Sequence, residues 1–317
     1  IGTFLSGGID STIILTAMAK LSERPIKTFS IGFEDSSNDE SKFIEYAVEK
    51  NHAQSYYHLI EQQLDFDLLR SLIYQADEPL ADGSLVPTYM VCKTGREHAK
   101  AILSGDGGDE TLIGYRKYER FLNHELSRNK LCIPNIPGIS AIIKKLPLAK
   151  RSIMLRYLSE SSHRYAELTY GYFSKSFTDI YGDGLNFTSY SDDRRSLDWL
   201  VLDENKIDLS ILTTAQIVDY QSYLPDDILM KVDKMSMANS IEVRVPLLDH
   251  KLQELAARLP HQIKLYRGIS KFVLKELLKK WGYPDDFINR PKRGFAPSTQ
   301  FWFNKKNTTR IKEEISD

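Results

Sequence analysis

Cysteine is nearly absent from this 317-residue chain: Cys92 and Cys132 stand far apart, without Cys-x-x-Cys spacing. That scarcity disfavours a disulfide framework, a thiolate metal site and sulfur-relay chemistry, and it fits a reducing compartment. Net charge is equally scarce. Lys plus Arg number 42 and Asp plus Glu 43, which argues against a broad nucleic-acid surface. The seven histidines show neither His-x-x-x-His nor His-Glu-x-x-His spacing, so no zinc site is indicated. No apolar run approaches transmembrane length and no signal peptide is visible, so no membrane partner and a cytoplasmic location are expected. The chain opens on Ile1 rather than Met, already inside a strand-like run, and residues are expected to precede it.

Two familiar phosphate loops are missing as well. There is no Gly-x-x-x-x-Gly-Lys-Ser/Thr, and no Gly-x-Gly-x-x-Gly opens a helix. What is present is an apolar run ending at Leu5, then Ser6-Gly7-Gly8-Ile9-Asp10-Ser11, then the apolar start of a helix. Glycines allow a ligand to approach the backbone, and the free N–H groups of a helix N-terminus favour an anion, phosphate above all. The alternative is an ordinary strand–turn–helix in which Asp10 only caps the helix.

Further on, strand-like segments at residues 26–33, 55–60 and 101–103 alternate with helical ones at 41–50, 64–73 and from Val86 or Pro87 to about His98. That rhythm predicts an α/β fold with a doubly wound, largely parallel sheet, in which ligands gather at the carboxyl ends of the strands. The third of these strands runs into Ser104-Gly105-Asp106-Gly107-Gly108-Asp109-Glu110, built like the first loop: apolar strand, Ser-Gly, more glycine, carboxylates, helix. Two such loops can face one ligand from both sides. Beyond about residue 125 the strand pattern fades. The expected division is an α/β core over residues 1–125 and a mostly helical part over 126–317, with loops at 132–138 and 181–184. In the later block Asp219–His250, residues Ile228, Leu229, Val232 and Met235 form one apolar helical face. Lys231 and Lys234 lie on another, which for an arbitrary lysine means a solvated charge.

Taken together, Ser6–Ser11, Ser30–Phe33, Asp77–Pro79, Ser104–Glu110, Gly114–Tyr118, Asp219–His250 and Arg290–Phe295 resemble the synthetase half of glutamine-dependent asparagine synthetases, within the wider ATP pyrophosphatase group. The resemblance implies that ATP is held by Leu5, Ser6, Gly7, Gly8, Asp10, Ser11, Ile31, Ser104 and Gly105. It implies Mg²⁺ at Asp10 and Asp109, Lys234 meeting charge on the α-phosphate and leaving pyrophosphate, and Asp106 handling protons on the incoming amine. The implied reaction adenylates a carboxylate, most simply the aspartate side chain, and transfers ammonia to it, giving asparagine, AMP and pyrophosphate.

The glutaminase half is absent from this sequence, so ammonia must come from elsewhere. The second loop departs from the usual Ser-Gly-Glu-Gly-Ser-Asp-Glu, which leaves ATP use intact and puts aspartate in question as the acceptor. An amidotransferase or cyclase acting on another carboxylate, and a non-catalytic ATP-binding paralogue, are the alternatives. Glu242 and Arg244 read as structural partners beside Pro246, Lys292 and Arg293 as either phosphate ligands or solvated charges, and the sequence leaves the oligomeric state open, a homo-oligomer included.

Overall fold

The computed structural model describes residues 1–33, 40–60, 65–78, 80, 82–130, 165, 210–290 and 305–316. The loops expected at 132–138 and 181–184, together with Pro79, Lys292 and Arg293, lie outside the described residues. Five strands form one sheet: β1 (Gly2–Phe4), β2 (Lys27–Phe33), β3 (Gln54–Ile60), β4 (Ala101–Leu103) and β5 (Glu242–Arg244). Their order is β3-β2-β1-β4-β5 and every pairing is parallel. Gly2 sits opposite Lys27 on one side and Ile102 on the other.

This order has a direct consequence for function. From β1 the chain moves outward through β2 to β3, then returns to the other side of β1 for β4. The order therefore reverses between β1 and β4, and in such sheets the crevice beyond the carboxyl ends of those two strands is where a ligand fits. Both Ser-Gly loops begin there.

An interior parallel strand is buried on both faces, and β2 shows this in its run of buried residues from Thr28 to Gly32. Phe29 and Ile31, two apart and so on one face, pack with Ile60, Ile102, Ile241 and with Val91 and Cys92 of α4 (Leu85–Arg96). A second core joins Leu5 and Ile26 to Ile13 and Leu15 of α1 (Ile9–Leu21), Ile44 and Ala47 of α2 (Ser41–Lys50), and Leu274 and Leu278 of a late helix, Phe272–Lys280. Burial raises the thiol of Cys92 to about 12, with Asp106 adding to the rise, so this cysteine is an inert core residue.

The chain divides into two compact units, residues 1–112 with 224–317, and residues 113–223. The boundary expected near residue 125 falls inside a helix of the second unit, Arg116–Lys130. Within that unit Lys117 donates to the fully buried Asp219 at 2.9 Å, and its ammonium lies 4.0 Å from the Tyr223 ring centroid and 4.7 Å from that of Tyr115. Tyr118 and Tyr165 both donate to the other Asp219 oxygen, at 2.5 and 2.8 Å. Burial still leaves the Asp219 carboxyl above its ordinary value against the pull of these partners.

Phe29 is fully buried, with its ring stacked 5.5 Å from that of Tyr56. Phe29→Ala should lower stability by about 4 kcal/mol, read as a fall in urea midpoint with unchanged slope. Tyr57, 45% exposed on the neighbouring strand, should tolerate the same change at about 0.5 kcal/mol.

Candidate active site

The first loop is organised by its own hydroxyls. Leu5 leaves the sheet with its N–H bonded to the Phe29 carbonyl and its own carbonyl accepting from Ser30 Oγ at 2.7 Å. The Ser6 N–H donates to Ser11 Oγ at 3.3 Å, the Gly8 N–H donates to Ser6 Oγ at 3.3 Å, and Ser11 Oγ donates to the Gly8 carbonyl at 3.2 Å. Gly7 takes φ +73°, and a Cβ there would stand 3.1 Å from Phe43 Cβ, so the turn needs glycine on both counts. Gly8 is the N-cap of α1 and no side chain caps the helix. Asp10 is therefore not a cap. Its carboxylate points to Lys271.

The second loop meets the first. The Ser104 N–H donates to the Arg244 carbonyl of β5 at 2.8 Å, and its hydroxyl donates to Asp106 Oδ2 at 2.6 Å. A Cβ at Gly105 would stand 2.8 Å from the Ser11 nitrogen and 2.9 Å from Asp10 Cβ, so only glycine lets the two loops come this close. The chain then turns into the short α5 (Gly108–Thr111), whose first turn carries Asp109.

Among the described residues, Asp10 and Asp109 share one cation, the ammonium of Lys271. Its Nζ pairs with Asp10 Oδ2 and lies 2.8 Å from Asp109 Oδ1, with the lysine side chain only 6% exposed. Burial alone would lower the pKa of this lysine; the two carboxylates outweigh it and hold the ammonium above its ordinary value. Lys271 immediately precedes the helix Phe272–Lys280, which packs on α1, so helix packing carries this residue to the start of α1. Nothing in its local sequence singles it out.

A second buried lysine lies nearby. Lys231, in the helix Met230–Met237, donates to Asp82 Oδ2 at 2.5 Å and Ser84 Oγ at 2.7 Å, with its side chain 9% exposed. The expectation of a solvated Lys231 is thus corrected. The preceding turns, Leu224–Leu229, are a π-helix, and its wider winding shifts the 3.6-residue face projected from Ile228 and Leu229. Lys234, one turn from Lys231, is half-buried, and its side chain forms no hydrogen bond or ion pair among the described residues. Asp106 is held by Ser104; burial raises its carboxyl, against the pull of Ser104 and Lys231 and with Asp109 adding to the rise. Ile31 is buried in β2 next to the loop-facing Ser30. Arg290, missed as a single residue, pairs with Glu40 at 3.2 Å and lies 4.2 Å over the Phe43 ring, its Nη2 3.9 Å from where a Cβ would stand on Gly8. Glu242 and Arg244 pair with each other at 2.7 Å on the surface.

Sheet order and paired loops define an α/β fold of the PP-loop type. The family model described as asparagine synthase matches residues 1–317, and the chain belongs to that family. Asparagine synthetase (glutamine-hydrolyzing) 1 of Bacillus subtilis is 28% identical over 330 residues, covering 100% of this chain and 49% of the relative. A Mycobacterium tuberculosis protein provisionally named as a glutamine-hydrolyzing asparagine synthetase is 32% identical over 308 residues, covering 95% of this chain and 45% of the relative. The amidase chyE of Penicillium rubens is 26% identical over 362 residues, covering 100% and 52%. The chain thus spans about half the length of the curated relatives it matches.

The Asp82–Lys231 pair gives a stability test. Burial would raise the Asp82 carboxyl, but the Lys231 charge and the hydrogen bonds from Lys231 and Ser84 bring it below the ordinary 3.8. A carboxyl that titrates lower when folded adds stability above its unfolded pKa and loses it as the pH falls through the folded value. Asp82→Asn should therefore cost about 3 kcal/mol at neutral pH in urea unfolding, with the gap to the parent closing only below the ordinary carboxylate range.

Proposed function

We propose that this chain is the synthetase part of an ATP-dependent, AMP-forming amide ligase, with the aspartate side chain as the first acceptor to consider. The observation that carries this reading is the convergence of Asp10 and Asp109, one from each Ser-Gly loop, on a shared buried cation, Lys271, at the strand-order reversal. Two carboxylates fixed on one positive charge are the donor set a Mg²⁺ ion uses when substrate phosphates and water supply its other ligands. Mg²⁺ held by Asp10 and Asp109 would neutralise phosphate charge during transfer.

In this reading Ser6, Gly7, Gly8 and Ser11 cradle the pyrophosphate of ATP, whose charge is favoured at the α1 N-terminus. Leu5, Ile31, Ser104 and Gly105 bound the adenosine side. The acceptor carboxylate oxygen attacks the α-phosphorus as the bond to pyrophosphate breaks. Ammonia nitrogen then attacks the acyl carbon, AMP leaves, and the surplus proton passes to Asp106. Its raised carboxyl is a stronger base, once ionised, than an ordinary aspartate. Lys234, without a partner of its own among the described residues, is a cation available to the departing charge. Ammonia arrives from a glutaminase outside this sequence, or from solution. Among the described residues no helix is long and apolar enough to cross a membrane, and a cytoplasmic setting belongs to the same proposal.

A second reading keeps the chemistry and changes the acid. It is supported by Asp106, where the family's loop usually carries Glu, and by a fungal relative named as an amidase. Pyrophosphate release with ATP, Mg²⁺ and ammonium, assayed across candidate carboxylates, separates the two. Asparagine formed from aspartate supports the first, and release with another acid alone supports the second. Lys234→Ala should lower turnover about a hundredfold with ATP binding retained. ATP binding without turnover on any acid, unchanged by that substitution, would mean a non-catalytic protein.

A further inference from the structure

We propose that Lys271 is a resident counter-cation that keeps free divalent metal off Asp10 and Asp109 until a nucleotide arrives, so that metal affinity is conditional on the nucleotide. The inference rests on the metal role given to Asp10 and Asp109 under Proposed function and adds the regulation of that site.

The ammonium and a metal would compete for the same carboxylate oxygens. Lys271 Nζ stands 2.8 Å from Asp109 Oδ1 and pairs with Asp10 Oδ2 at the same time. A Mg²⁺ ion held through these same two oxygens would need them at about 2.0–2.1 Å and would compete with the ammonium for that space. Lys271 would then have to withdraw as the metal enters. Its side chain is 6% exposed, so displacement by a bare ion would strand a desolvated ammonium beside a divalent charge. A nucleotide changes this balance, because its phosphates bring both ligands for the metal and an anion for the displaced lysine. By linkage, metal and nucleotide then raise each other's affinity by one common factor.

Mn²⁺ is a suitable probe, titrated into the full chain and followed by the electron paramagnetic resonance of the free ion, with and without α,β-methylene-ATP. Without nucleotide, Lys271→Gln should bind Mn²⁺ about tenfold tighter than the parent, while Lys271→Arg, which keeps the charge, should stay near the parent. With the analogue present, the gap between Lys271→Gln and the parent should narrow. The proposal is overturned if folded Lys271→Gln, checked by circular dichroism, gains nothing. Should that variant not fold, the parent decides. Mn²⁺ bound without nucleotide as tightly as with it, and lost in Asp10→Asn, overturns the proposal; a gain of about tenfold on adding the analogue, beyond the Mn²⁺ that the analogue binds in protein-free solution and absent in Asp10→Asn, upholds it. The titration reads no turnover, so failure to release pyrophosphate from any acid would refute the ligase reading without touching this result.

Discussion

The contact on which this structure turns is the one between Lys271 and the carboxylates of Asp10 and Asp109. Two carboxylates brought together in a partly buried loop pair repel each other and lose hydration, and neither term is recovered without a cation. The fold places them there regardless: β1 and β4 are adjacent and parallel, so the loops leaving them emerge side by side, and glycine at 105 removes the last steric barrier. The lysine that resolves the conflict comes from a distant part of the chain, brought in by a helix packed on α1. Sheet, loops and helix packing are thus tied together at one point of charge.

Charge is managed in the same way elsewhere. Lys231 answers Asp82 in the first unit, and Lys117 answers Asp219 among the tyrosines of the second. Breaking such pairs from one side leaves a buried ion uncompensated, which is why they hold side chains in defined positions even where their net contribution to stability is small. The Lys231 pair borders Asp106, so the electrostatics of the second loop depend on a helix more than a hundred residues away in sequence.

Much of the fold was legible because its signals are local. Lys27–Phe33 and Gln54–Ile60 are β-branched and aromatic runs, and the helix at Ser41–Lys50 shows a clear apolar face. The glycine-rich turn of Ser6–Ser11 into a helix start, and the like construction of Ser104–Glu110, could be read from glycine placement alone. The family resemblance was legible as well, and the family match spans the same 317 residues. Strand β5 was not, since Glu242-Val243-Arg244 is too short to show alternation and is a strand only because β4 offers an edge. The burial of Lys231 was not legible either: it shares the face of Met235 one turn on in the helix Met230–Met237, and only packing sets Asp82 and Ser84 beside it. Lys271 escaped altogether: the role of a lysine depends on what three-dimensional packing sets beside it, and its neighbours in sequence carry no trace of Asp10 or Asp109.

The central claim is that the two loops form the walls of one metal–nucleotide site. Its most direct test is a crystal structure with Mn²⁺ and α,β-methylene-ATP, using the anomalous signal to locate the ion. The account predicts a manganese peak between Asp10 and Asp109, the analogue's phosphates against Ser6–Ser11, and Lys271 withdrawn from both carboxylates. Nucleotide bound with Lys271 still bridging Asp10 and Asp109, and the metal elsewhere, would contradict it.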